Sequence, residues 1–249
     1  MRRAIVSAIR RSPRLYDAIN SRRSTHGKLG NWLGSLSAHG PIRFIQVGAS
    51  DGLRWDPLRK HIINNRWEGA LVEPLPPVFE LLKRNYAYLS GRQKLAFVNA
   101  ALSDASGNNL TFWACSRAFL KDLSIDQALY WLRMSSLQRE FIERKLRTIA
   151  KHSAPESVVE PVEAPVITLS DVIEQHLSGK APDLLFIDAE GHDDAVIYGH
   201  DFKAGKPRWI VYESNGIGAE RSLALHSFLV GYGYSVEQLD SDTVATLPN

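Results

Sequence analysis

From residue 41 onward the chain repeats one pattern: a short apolar run, a turn rich in Gly, Asp or Pro, then an amphipathic stretch of about helical period. The apolar runs are 42–48 (IRFIQVG), 69–74 (GALVEP), 94–102 (KLAFVNAAL), 183–191 (DLLFIDAEG) and 208–214 (RWIVYES). Helical spacing follows at 55–65, 76–89, 167–177, 193–199 and 219–231, with Pro76 and Pro77 suited to a first helical turn. Short strands alternating with helices bury both faces of a parallel sheet, so the pattern predicts a doubly wound α/β fold. Residues 234–239 and 243–247 read as a C-terminal antiparallel hairpin turning around Asp240 and Asp242, and 109–115 (NLTFWAC) as an additional strand.

Two regions depart from this alternation. Residues 117–155 carry Leu123, Leu129, Leu132, Leu137, Phe141, Leu146 and Ile149 at helical spacing among many charges, which predicts a helical insert of two helices. A Pro- and Val-rich extended linker follows at 154–165. Residues 1–40 are predicted to be a basic helical extension of the domain at 41–249, with Ile5, Ile9, Leu15 and Ile19 on its apolar side and a break at Pro13. Its first 30 residues carry eight basic side chains (Arg2, Arg3, Arg10, Arg11, Arg14, Arg22, Arg23, Lys28) and one acid, Asp17. That segment is therefore +7 and the remainder −4, so the sequence pI near 9.0 describes the arm and is no argument for a nucleic-acid partner. Two readings of the arm stand: packing on the body or on a second subunit as a homo-oligomer, or peripheral contact with anionic lipid at the inner face of a membrane.

The single cysteine, Cys115, leaves no intramolecular disulfide and no cysteine-based zinc site. With no secretory pattern around residues 4–9 and no apolar run of about 20 residues, the expected location is the cytoplasm.

Three stretches carry the chemistry. In Phe44–Gly52 (FIQVGASDG) a strand runs into a glycine turn and a helix, where ligands of such sheets bind; the Gly-x-Gly-x-x-Gly of dinucleotide sites is absent. Glu73 ends the next strand about 20 residues later, where a carboxylate can accept hydrogen bonds from ribose hydroxyls. In Asp188–Asp194 (DAEGHDD) three further carboxylates and an imidazole follow Asp188 at one strand-to-helix turn. His192 is a candidate general base, titrating near neutrality. Plainer readings exist for each: an ordinary turn, a surface glutamate, acids that complement a helix dipole, and a solvent-facing histidine.

The ordered set FIQVGASDG, ALVEP, NAALSD, ITLSDVI and FIDAEGHD resembles the FkbM family of methyltransferases over about residues 42–215. The resemblance implies a Rossmann-like class I methyltransferase with a mostly parallel seven-stranded sheet and S-adenosylmethionine as cofactor. By position it assigns Gly48, Ala49 and Gly52 to the turn under the methionine portion, with Gln46 and Asp51 beside it. It also assigns Glu73 and Pro74 to the ribose, Ala101, Ser103 and Asp104 to the adenine, and Asp188, Glu190 and His192 to the loop facing the transferred methyl. Three residues depart from the family pattern. Gln46 stands where an acid is usual, Phe186 where lysine is frequent, and Asp193 where glutamate is usual.

Methyl transfer to a hydroxyl needs an aligned nucleophile and a base or metal. His192 and Asp188, with Glu190 beside them, are the local catalytic candidates. Asp188 and Glu213, at neighbouring strand ends, are a candidate pair of Mg²⁺ ligands, the plain alternative for Glu213 being a hydrogen bond to the turn after Asp188. Trp131, Arg133, Arg139, Arg144 and Arg147 make the insert either a lid and substrate wall or a dimerisation pair. The resemblance implies O-methylation of a sugar in a glycan. The alternatives are a polyketide-type metabolite as acceptor, or a scaffold protein without catalysis; a nicotinamide-dependent oxidoreductase is disfavoured by the missing glycine fingerprint.

Overall fold

The computed structural model describes residues 12–20, 27–150 and 158–248. Arg2, Arg3, Arg10, Arg11, Arg22, Arg23, Ile5 and Ile9 of the arm, and residues 154–157 of the expected linker, lie outside them.

The first described elements are helices α1 (Pro13–Asn20) and α2 (Lys28–Leu36), and the alternation then begins. In order follow β1 (Arg43–Val47), α3 (Arg59–Asn65), β2 (Glu68–Val72), α4 (Pro76–Tyr86), β3 (Leu95–Val98), β4 (Ala101–Ser103) and β5 (Asn109–Cys115). The insert holds α5 (Arg117–Lys121), α6 (Ile125–Leu132), β6 (Ser135–Ser136) and α7 (Arg139–Lys145). The chain closes with β7 (Val159–Thr168), α8 (Leu169–Leu177), β8 (Leu184–Ile187), α9 (Asp193–Tyr198), β9 (Trp209–Glu213), α10 (Ala219–Gly231), β10 (Ser235–Leu239) and β11 (Asp242–Thr246).

The main sheet has seven strands in the order β10-β11-β9-β8-β1-β2-β3. Pairings are parallel except those made by β11, which runs antiparallel to both β9 and β10. The order reverses between β1 and β8, which places the switch point, and so the ligand crevice, at the carboxyl ends of these two strands. Alternate side chains of the strands feed opposite cores. Ile45, Val47, Val72, Leu185 and Ile187 pack with α8 to α10, while Phe44, Leu71, Leu184 and Phe186 pack with α2, α3 and α4.

The predicted seven-stranded, mostly parallel sheet with its closing hairpin is therefore present, and two local expectations differ. Residues 94–102 split at Asn99–Ala100 into β3 of the main sheet and β4 of another. From Val159 on, the Val- and Pro-rich stretch expected as a linker belongs to the ten-residue β7, which pairs antiparallel with β5 and parallel with β4, making a second sheet of order β4-β7-β5-β6. Its Pro165 stands at the end of the β5 pairing and Pro161 inside it, opposite Trp113, and its β-branched residues suit a half-buried ladder. Among its described residues the insert carries three short α-helices, a two-residue strand and a π-helical turn at Leu146–Ala150, where two helices were expected. Its core is Cys115, Trp131, Ile142, Leu146 and Val159. Burial pushes the Cys115 thiol up to about 12, so it stays a neutral packing group. Among the described residues no helix is long and apolar enough to cross a membrane.

Candidate active site

The carboxyl ends of β1, β2, β8 and β9 open into one cleft of 590 Å³, roofed by the insert. Of the residues expected to act, Gln46, Gly48, Ala49, Glu73, Pro74, Ala101, Asp188, Glu190, His192 and Glu213 line it. Gly48 and Glu73 thus share one cleft, as a nucleoside lying across the sheet requires.

Gly48 has φ +75°, and a Cβ there would lie 1.9 Å from the carbonyl oxygen of Asp188. The glycine is needed because the turn after β1 crosses directly against the end of β8. Glu73 is almost fully buried and fastens the two turns together: Ser50 N–H donates to Oε2 and Leu75 N–H to Oε1, each at 3.0 Å. Each oxygen keeps a second lone pair. Burial pushes the Glu73 carboxyl up to about 7, against the lowering effect of those two N–H groups. Ser50, Trp55 and Glu190 all have φ between +50° and +60°, so three strained non-glycine residues line this cleft.

Four assigned residues sit elsewhere. The Asp51 carboxylate is turned to structural use: Oδ1 accepts the N–H groups of Leu53 and Arg54, and Oδ2 pairs with Arg133. Gly52 faces away from the cleft, and a Cβ on it would lie 2.4 Å from Leu82 and 2.6 Å from Tyr86, so close packing on α4 explains it. Ser103 and Asp104 do not line the cleft but support it from behind. Ser103 Oγ donates to Asp104 Oδ1 at 3.0 Å and lies 2.9 Å from His192 Nε2. The serine's one proton is committed to Asp104, so Nε2 is the donor to Ser103, and the lone pair of His192 is on Nδ1. Burial lowers the His192 pKa, which leaves the ring neutral and basic at neutral pH.

The acidic side of the cleft is shared by three strand ends. Asp242 pairs in register with Glu213, and Asp188 follows the end of β8 beside them. Desolvation together with Glu213 and Asp242 pushes Asp188 up to about 6. Desolvation together with Asp188 and Glu213 pushes Glu190 up to about 7. Both side chains still meet water in the open cleft. Asp193, fully buried, accepts the Glu213 N–H at 3.1 Å and is pushed up to about 7, mainly by burial. It holds the end of β9 against the start of α9 and does not line the cleft. Among the described residues no three His, Cys, Asp or Glu side chains are arranged to hold a metal ion, so the Mg²⁺ reading of Asp188 and Glu213 gains no support.

Sequence reasoning missed Asp56 and Asp242. Asp56 accepts Gln46 Nε2 at 3.1 Å, so the acid absent from position 46 is one hydrogen bond away. Gln46 Oε1 is buried, with no hydrogen-bond partner. Asp56 lies ten residues downstream in an irregular loop, and no periodicity points to it. The insert supplies the opposite wall through Tyr130, Arg133, Met134, Phe141 and Lys145, facing Arg54 and Trp55.

The chain resembles solved methyltransferase structures at low identity. The FkbM methyltransferase of Methylobacillus flagellatus KT matches at 12% identity and TM-score 0.49, over 82% of this chain and 43% of that one, so this chain spans under half of that length. The O-methyltransferase of Bacillus cereus in complex with SAH matches at 11% and 0.43, over 97% and 91%. The precorrin-6y C5,15-methyltransferase of Geobacter metallireducens GS-15 matches at 12% and 0.42, over 90% and 91%. Curated protein sequences yield no significant match. The model of the methyltransferase FkbM domain matches residues 46–236, which span every strand end that lines the cleft except that of β11, and the chain belongs to the FkbM methyltransferase family.

Proposed function

We propose that this protein is an S-adenosylmethionine-dependent O-methyltransferase acting on a sugar hydroxyl of a glycan. The observation that carries the reading is the shared cleft of the Gly48 turn and the buried Glu73 carboxylate at the β1/β8 switch point. The residues fit the cofactor. Glu73 keeps a lone pair on each oxygen for the ribose hydroxyls, Gln46 Oε1 is a buried acceptor suited to an ammonium, and Ala100, Ala101 and Leu102 offer an apolar edge to a base.

The cofactor supplies an electrophilic methyl group when bound. The protein's part is to hold the acceptor in line and to remove its proton. His192 accepts that proton on Nδ1, while Ser103, polarised by Asp104, holds the ring through Nε2. Asp188 and Glu190, when ionised, favour positive charge at the mouth of the sheet. The wall of Trp55, Tyr130, Phe141, Arg54 and Lys145 suits a sugar, whose apolar faces stack on aromatic rings and whose hydroxyls accept from cations. The basic N-terminal arm would keep the enzyme near membrane-linked acceptors.

Calorimetry with S-adenosylhomocysteine tests the cofactor reading, with saturable binding expected in the wild type and lost in Glu73→Ala. Glycan extracts incubated with the enzyme and isotopically labelled cofactor test the acceptor. The label should appear in an alkali-stable sugar methyl ether, and label found only on amines or carbons would reject O-methyl transfer.

A further inference from the structure

The insert reaches the cleft through Arg133, at the end of α6. Its side chain is only 5% exposed, and Nη1 is held by the Asp51 carboxylate. Nε and Nη2, the two donors along one edge of the planar guanidinium, are buried and have no hydrogen-bond partner. The Trp55 ring lies 5.2 Å from Cζ, and Arg133 and Trp55 line the same cleft. An arginine edge with two parallel N–H groups matches the two oxygens of a carboxylate, and burial strengthens such a pair. Asp51 also locks the plane, so little side-chain freedom remains to be lost when a ligand arrives.

We infer that the Nε/Nη2 edge of Arg133 is a carboxylate-binding fork, which makes the insert part of the ligand site. Two sources offer that group: the α-carboxylate of the cofactor's amino-acid portion, or an acidic group on the acceptor such as a uronate. The first is the better matched. Arg133 is tied to the residue just past Ala49-Ser50, and the orphaned Gln46 Oε1 in the same cleft is an acceptor for the neighbouring ammonium. The inference rests on the nucleoside reading of the cleft given above.

The full-length wild type and Arg133→Lys are titrated with S-adenosylhomocysteine and with 5′-(3-aminopropyl)thioadenosine, which lacks only the carboxylate. Lysine keeps a charge beside Asp51 but not the fork, and the thermal midpoint of each protein is measured alongside. The wild type is expected to prefer the carboxylated nucleoside by roughly 10- to 100-fold, as two charge-assisted hydrogen bonds imply, and Arg133→Lys to lose most of that preference. Sodium glucuronate titrated into the S-adenosylhomocysteine-loaded proteins reads the other source. Binding to the wild type that Arg133→Lys weakens tenfold or more assigns the fork to the acceptor. Equal nucleoside preference in both proteins, with glucuronate binding equal or absent in both, would overturn the inference. Affinity for the decarboxylated nucleoside tests the nucleoside site alone, so the two readings fail on different measurements. If the variant does not fold, the wild type alone can still overturn the inference, because a fork that takes a carboxylate must show either preference for the carboxylated nucleoside or binding of glucuronate.

Discussion

Asp17 of α1 closes the guanidinium of Arg59 with two hydrogen bonds, to Nε at 2.7 Å and to Nη2 at 2.8 Å. The same guanidinium donates from Nη1 to the Gly52 carbonyl and from Nη2 to the Asn85 carbonyl at 2.9 Å, and Asn85 Nδ2 donates to the Asp51 carbonyl at 2.8 Å. The N-terminal helix is thereby coupled to the loop that follows Gly48. It is not only a surface arm.

Asp17→Ala should therefore destabilise the protein by about 3 kcal/mol, since Arg59 is 3% exposed and would keep its buried charge without its paired carboxylate. Truncation before residue 27 should do the same. Chemical denaturation measures it; an unchanged midpoint would mean that α1 is dispensable.

Glu73→Gln should weaken S-adenosylhomocysteine binding by roughly 10- to 100-fold. One amide oxygen can still accept, but the NH₂ confronts the Ser50 or Leu75 N–H that the carboxylate now accepts. Calorimetry on a variant with native circular dichroism reads the loss directly.

His192→Ala should lower kcat by about 10²- to 10⁴-fold, with S-adenosylhomocysteine affinity within about twofold of wild type. Ser103→Ala should give a smaller loss and shift the pH–rate profile, because it removes the acceptor that sets the imidazole tautomer. Equal turnover in both variants and wild type would move the base elsewhere, with Asp188 next to be tested.

Asp188→Asn should raise the thermal midpoint of the cofactor-free protein most at pH 8, by less at pH 5 and little below pH 4, while lowering turnover. The Asp188 carboxyl stands at about 6 in the fold, against 3.8 ordinarily. Between those values the folded chain holds a proton that the unfolded chain has released, so the stability linked to this group is full at low pH and is lost as pH rises through about 6. For the same reason, affinity for cationic S-adenosylmethionine relative to neutral-sulfur S-adenosylhomocysteine should increase between pH 5.5 and pH 8, as Asp188 and Glu190 ionise. A ratio independent of pH would place the sulfur away from these two acids.

The order of strands and helices, the glycine turn, and the acids at Glu73 and Asp188 were legible in the residues, because period 2 against period 3.6 and the need for glycine at a tight crossing are local facts. What each side chain does at the site was not local. Asp51 sits in the glycine motif, yet it is taken by Arg133 from 82 residues away. Ser103, expected at the adenine, meets His192, which is 89 residues distant. Residues 158–165 look like a linker until β5 offers them a ladder. Asp56 comes beside Gln46, and Asp242 beside Glu213, only when loop and hairpin fold back over the sheet. Local periodicity sets which face of an element is buried, whereas hydrogen bonds and charges are partnered by whatever the closed chain brings within about 3 Å. The elements of the main sheet were therefore determined by the sequence alone, and the second-sheet strand β7 and the partners of the polar side chains by the tertiary structure.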